Sequence, residues 1–394
     1  MRRPANYGAW PLFRDNVEPS RLNNREPIGI NTSQIESLTS YFTRLSWSHC
    51  LSPGCLFSGV IAPLLDKPYL EKRRNRSTWL SRSFRARSAA VNGTGLIAME
   101  WTTVLEQLTR RDDLRSLSLL PWSGILSQRN LLRRHLAWCA LCIQQWSDAS
   151  QPVYEPLLWS VKLVTRCVTH NVLLTTNCPS CRTALHCLAH GRRPGYCHAC
   201  GIWLGVSMRQ WRSLERSSSD PDTVPAALVG ELFANTPYLK SSVDNGFSSI
   251  MATLIKEVAG NNASRFARLV GRNKSTICDW TRGSRISFND LLDISDRLKT
   301  TPVRILAGSG LSAADYVGHL IAKRTPVLRS RNPLNRRRAQ SRLERALTNA
   351  TPPRSVQHVA NRLHVDKRVL YKHFPQLCKE IAARAAGYRR TKVA

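Results

Sequence analysis

From Glu36 to Leu45 the chain reads ESLTSYFTRL, with apolar Leu38, Tyr41, Phe42 and Leu45 at i, i+3, i+4 and i+7. That spacing puts four side chains on one face and predicts an amphipathic helix. Two further stretches, 250–307 and 340–388, show the same helical recurrence and read as compact helical units. Between these periodic stretches the pattern fails. Residues 1–30 are polar and rich in Pro and Asn, which predicts a poorly ordered lead. Residues 213–245 contain SLERSSSDPDTVPAA, whose Ser, Asp and Pro clusters predict a linker. TPVLRSRNPLNRRRAQSR is too polar for a core, so 311–339 is expected to be a basic linker. The only pairing expected is that of short β-hairpins.

The cysteines add what periodicity cannot. Eight of the twelve fall between residues 139 and 200. Cys139-x2-Cys142 is followed after 24 residues by Cys167-x2-His170, and Cys178-x2-Cys181 after 15 residues by Cys197-x2-Cys200. Each pair aims two donors at one point, and two pairs complete a tetrahedron. Cys139, Cys142, Cys167 and His170 are the expected ligands of one zinc ion, and Cys178, Cys181, Cys197 and Cys200 those of a second. Four protein ligands leave no place for a reacting water, so both sites are expected to be structural. His186, Cys187, His190 and His198 lie close by in sequence and are expected to support the ligands or face solvent. A deaminase zinc site would need H-x-E with P-C-x-x-C, and neither motif occurs.

Two segments have helix-turn-helix spacing. In SRFARLVGRNKSTICDWTRG, Ala267 allows close helix crossing and Gly271 supplies a left-handed turn, while Ile277 and Trp280 bury the second helix. Asn273, Lys274, Ser275, Thr276, Asp279 and Arg282 then face outward, toward DNA. Leu291, Leu292, Ile294 and Leu298 mark a supporting helix. In SVQHVANRLHVDKRVLYKHF, Ala360 takes the crossing position, and Val359, Leu363, Leu370 and Phe374 form the core. His364 stands at the turn where Gly is usual, and Asp366, Lys367, Arg368, Tyr371 and Lys372 are expected outside.

Charge points to the same partner. Lys plus Arg number 58 against 26 Asp plus Glu, a net +32. Such an excess destabilises a compact chain unless a polyanion is near, and DNA rewards Lys/Arg contacts by releasing counterions. The run Lys72–Arg87 and the triplet Arg336, Arg337 and Arg338 are candidate phosphate contacts. The sequence offers no apolar signal region and no stretch of ~20 apolar residues, so an intracellular protein without membrane spans is expected. Cysteines in a reducing compartment favour metal ligation over disulfides.

Together, ESLTSYFTRL, RHLAWCALC, YEPLLW and VTRCVTHNVLLTTNCPSC resemble the TniQ/TnsD family of transposon target-site selectors. Ala140 departs from the Pro usual in the family's first knuckle. The resemblance implies a bacterial cytoplasmic protein, bound to the nucleoid when on DNA. It implies further that the protein performs no reaction and recruits an AAA+ regulator ATPase to target DNA. A transposase or a CRISPR guide-RNA effector complex would be a further partner. The expected fold is mainly α: a helical region at 31–135, a double zinc-binding domain at 136–212, and helix-turn-helix domains at 246–310 and 340–394. A zinc-stabilised transcriptional regulator shares the helix-turn-helix units without needing the N-terminal motif. A zinc-ribbon nuclease or recombinase would need an acid cluster, and none stands out.

Overall fold

The computed structural model describes residues 19–65, 87–207, 224–240, 246–308, 336–348, 355–363 and 367–391. The chain divides into two units, Met1–Leu320 and Ile321–Ala394, each with its own apolar core. The described residues are mainly helical, and their strand pairing is limited to isolated bridges.

The predicted helix is α1, Leu38–Ser48, capped by the Ser37 side chain, which accepts from the Ser40 N–H. The next free N–H, that of Thr39, donates to Asn92 Oδ1 at 3.0 Å. Leu38, Tyr41, Phe42 and Leu45 are buried as their spacing predicts, but so are Thr39, Ser40, Thr43, Arg44 and Ser46. The polar face survives burial because its groups find partners, as buried polar groups must. Arg44 pairs with Glu36 at 2.6 Å, and Ser40 Oγ donates to Glu36 Oε1 at 2.8 Å. Behind the apolar face lie α2 (Pro53–Leu56, continuing through a π turn at Phe57–Ile61) and α3 (Leu96–Thr109). Trp101 of α3 stacks on Phe57 and meets Phe42 edge-on, with centroids 5.3 and 5.1 Å away.

A second buried ion pair reaches α1 from far along the chain. Arg192 and Glu155 meet at 2.5 Å with 2% and 6% of their side chains exposed. Arg192 also donates to the Cys187 carbonyl at 2.6 Å and to Thr43 Oγ1 at 3.3 Å, while Trp47 Nε1 donates to the Arg192 carbonyl at 2.8 Å. The Glu155 backbone completes the circuit: its N–H donates to Ser40 Oγ and its carbonyl accepts from the Ser37 N–H.

Residues 213–245, expected as linker, contain α5 (Val224–Ala234), with Ala226, Val229, Leu232 and Phe233 buried. Its apolar run outweighs the turn residues that precede it. At Gly230 a Cβ would come 2.9 Å from Ser33 Cβ, so only glycine lets α5 approach the start of the first unit this closely. α5 packs against the turn Leu157–Ser160 and against α10 (Pro302–Ala307). The helices α6 (Gly246–Ala259), α7 (Ala263–Leu269), α8 (Lys274–Thr281) and α9 (Phe288–Arg297) complete this group. They do not form a separate bead. The Ile286 N–H donates to the Ile125 carbonyl at 2.9 Å, and the Ser127 N–H donates to the Ile286 carbonyl at 2.7 Å. Ile125, Leu126 and Ile286 are all buried there, in one continuous core.

The second unit comprises α11 (Arg336–Thr348), α12 (Val356–Arg362), α13 (Lys367–His373) and α14 (Pro375–Thr391). Ala339, Leu343, Val356, Val359, Ala360, Leu370, Cys378 and Ile381 form its core, with Leu363 and Phe374 packed against it. Arg384 donates to the Ala346 and Leu347 carbonyls and so closes the end of α11. Arg336, Arg337 and Arg338, expected in a connecting arm, instead open α11. Ala339, Leu343 and Ala346 recur at helical spacing just beyond them and carry the helix back through the triplet. His364, Asp366 and the part of the basic run that precedes Arg87 lie outside the described residues.

Breaking a buried pair leaves an uncompensated charge and costs about 3–5 kcal/mol, whereas replacing both partners with neutral groups costs much less. Arg192→Met should therefore lower the unfolding free energy by about 3–5 kcal/mol. The double variant with Glu155→Gln should recover much of that. Urea denaturation followed by tryptophan fluorescence reads both.

Candidate metal centres and nucleic-acid interface

The structure brings Cys139, Cys142, Cys167 and His170 together, and separately Cys178, Cys181, Cys197 and Cys200, with the donor atoms of each set within 4.8 Å of one another. Three of the four pairs share one local design. The bridges Arg166↔Leu173, Asn177↔Ala184 and Tyr196↔Trp203 each close a tight hairpin around one C-x2-C or C-x2-H step. In each, the residue directly after the second ligand is left-handed: Asn171 at φ 54°, Arg182 at φ 60° and Gly201 at φ 75°. Asn and Gly enter that region readily, but Arg does so at some cost. The remaining pair differs. Cys139 is the N-cap of α4 (Ala140–Asp148), and Cys142 lies in its first turn. Ala140 is the first residue of that helix, where Pro would fit equally well.

The spacing of the donors matches a tetrahedral thiophilic ion. Metal–sulfur bonds of about 2.3 Å place sulfurs at tetrahedral corners about 3.8 Å apart. Cys142 and Cys167 are 3.5 Å apart, and Cys178–Cys200 and Cys181–Cys197 are each 3.7 Å apart. His170 Nδ1 lies 3.2 to 3.8 Å from the sulfurs of Cys142, Cys139 and Cys167. A disulfide would need about 2.05 Å, and every described cysteine is free. Hydrogen bonds from Cys139 and Cys142 push the Cys167 thiol down to about 2, while the same sharing pushes Cys142 up. Without a cation the crowded thiols therefore accommodate charge on one sulfur at the expense of the next. A bound cation would instead take the sulfurs deprotonated, releasing their protons.

The surroundings of the two sets differ. The first is buried, with His170 half-buried, whereas Cys181 and Cys200 of the second are exposed. Of the nearby residues, Cys187 is buried, and burial pushes its thiol up to about 11. His198 accepts from the His186 N–H at 3.3 Å, and His190 lies 4.0 Å from Cys55 Sγ. None of the four belongs to either set.

In the α7–α8 pair Phe266, Ala267, Val270, Ile277 and Trp280 are buried. Gly271 turns between the helices at φ 59°, and a Cβ there would meet the Arg297 guanidinium at 2.5 Å. Arg272 pairs with Asp290 at 2.8 Å and with Asp293 at 2.5 Å, tying the turn to α9. Asn273, Lys274, Ser275, Asp279 and Arg282 are exposed and Thr276 is half-buried. In the second unit Lys367, Arg368 and Lys372 are exposed, as is Arg336. Tyr371, expected outside, is half-buried and packs against the core beside Leu370. Its ring is the largest apolar surface on α13, which explains the inward turn.

Residues 27–174 match the family model described as TniQ. This segment, less than half of the chain, is similar to TniQ domains. The TniQ family is one of transposition-associated, DNA-binding target-site selectors that act as adaptors. The matched residues include α1, its ion-pair network up to Glu155, and the whole first ligand set, and they stop before Cys178. No curated protein matches the chain. Among the described residues of the TniQ domain and beyond it, no helix is long and apolar enough to cross a membrane.

The glutamate–arginine network escaped the sequence reading, although Glu36, Ser40 and Arg44 recur every four residues and so share one helical face. Glu155 and Arg192 left no such trace, because their pairing is set by folding alone.

The two sets should bind two metal ions per chain. Cys181→Ser removes an exposed ligand and should leave about one ion in a folded protein, whereas Cys142→Ser opens a buried set and should cost solubility. Elemental analysis of the purified variants reads the first outcome, and soluble yield reads the second.

Proposed function

We propose that this chain is a DNA-binding target-site selector that recruits an AAA+ regulator ATPase, and through it a transposase, to the DNA it has bound. The carrying observation is that α8 presents exposed polar residues from a helical group built into the same core as the TniQ domain. In this reading α7 and α8 form a helix-turn-helix, and α12 and α13 a second. α8 enters the major groove. Asn273, Lys274, Ser275 and Thr276 lie at its N-terminal end, where base edges are reached, and Asp279 and Arg282 lie toward the phosphates. Lys367, Arg368 and Lys372 occupy the corresponding face of α13, and Arg336, Arg337 and Arg338 add phosphate contacts.

Both metal ions are zinc in this reading. One set of three cysteines with a histidine and one of four cysteines fit it in donor type and spacing. The ions would hold the three hairpins and the start of α4 in place, and their four-ligand shells would perform no chemistry. The protein itself cuts no DNA. A magnesium-dependent cleavage assay on the purified chain tests this directly, and reproducible nicking would contradict it.

Lys274→Ala should cost about 1–3 kcal/mol on the target site and much less on unrelated duplex, as the loss of a base contact does. Titration of the variant on both DNAs measures the difference. Equal losses would make Lys274 a phosphate contact.

A further inference from the structure

The backbone bonds between Ile286 and Ile125–Ser127 bring two exposed basic segments together. On one side is the turn after α8, where Arg282 and Arg285 are exposed. On the other is the TniQ-domain loop SQRNLLRR, residues 127–134, where Arg129 and Arg134 are exposed. None of these four forms an ion pair with a described residue. The loop itself contains no Asp or Glu. It is held at both ends: the Ser127 N–H donates to the Ile286 carbonyl, and the Arg133 N–H donates to the Ser160 carbonyl at 2.8 Å. Asn130 turns it at φ 58°, and Lys162 Nζ donates to Asn130 Oδ1 at 3.1 Å, adding another exposed cation.

Distance allows these groups to act together. Arg285 is one residue from the bridge and Arg129 two residues from it, so their Cα atoms are at most about 17 Å apart. That is roughly half a turn of duplex DNA. Phosphates on one face of a bound duplex are thus within reach of both segments, given the length of arginine side chains.

We infer that the loop 127–134 is a phosphodiester-binding site on the TniQ domain itself, which extends the DNA surface of α8 through Arg285 to Arg129 and Arg134. The inference rests on the DNA-binding reading above. The TniQ domain then grips DNA without reading its sequence, and the bridge at Ile286 sets the register between the grip and the reading helix.

The test uses the full chain and a mixed-sequence duplex of about three helical turns. Arg129→Gln with Arg134→Gln should weaken binding about ten-fold and lower the slope of log K against log salt by about 1.8, or 0.9 per lost contact. Arg129→Lys with Arg134→Lys should keep most of the slope, because charge is retained. Circular dichroism and metal content should match the parent protein in both variants. If the glutamine variant binds with unchanged affinity and slope while the parent binds DNA, the loop is solvated and this inference is wrong. If the parent binds no duplex at all, the DNA-binding reading falls and this inference falls with it.

Discussion

From Leu38 to Ser46 α1 is buried on all sides and must satisfy its polar side chains within the protein, which it does through two ion pairs that come from opposite directions in the sequence. Glu36 lies at its own entrance and pairs with Arg44. Arg192 arrives from the loop between the two pairs of the second ligand set and pairs with Glu155 beside Ser40. Because desolvated charges cannot be left alone, neither end of this network is free to move independently. The hairpins of the four-cysteine set are therefore fastened to α1 by Arg192, although the TniQ match ends before them. Ligand sets and network are complementary supports. Metal ions held by the ligand sets would fix the hairpins internally, and the ion pair fixes where they sit.

The same economy explains why α8 is not carried on a tether. Ile125, Leu126 and Ile286 are buried together, and α5 fills the space between the Leu157–Ser160 turn and α10. Under the proposed function, presenting DNA to another protein in one geometry gains from such rigidity, because each loose joint would spread the possible orientations. The second unit, with its separate core, is joined to the first through a stretch outside the described residues.

Local chemistry was readable from the sequence wherever spacing alone dictates it. The four C-x2-C or C-x2-H pairs gather into two sets, the apolar face of α1 is buried, and Ala267, Ile277 and Trp280 are buried with Gly271 at φ 59°. What depended on distant partners was not readable. No pattern marks Glu155 for Arg192, and nothing in SRISF foretells that Ile286 bonds to Ile125 and Ser127. The linker expected at 213–245 failed for a related reason. Its Ser and Pro residues announced irregular backbone, while VPAALVGELFA had a surface to pack on that only the folded first unit supplies. Likewise Arg336–Arg338 looked like an arm until Ala339 and Leu343 were given a core.

The central claim is that the TniQ-matched region, the cysteine hairpins and the α6–α10 group are one cooperative body. Native-state hydrogen exchange tests it at the joints. The amides of Ser127 and Ile286, which bridge the domain and the helical group, should open with the same free energy as the amides of α1 and show the same dependence on denaturant. If Ile286 and the amides of α8 exchange through a separate opening of lower energy while α1 stays protected, the helical group is an independent domain and the account is wrong.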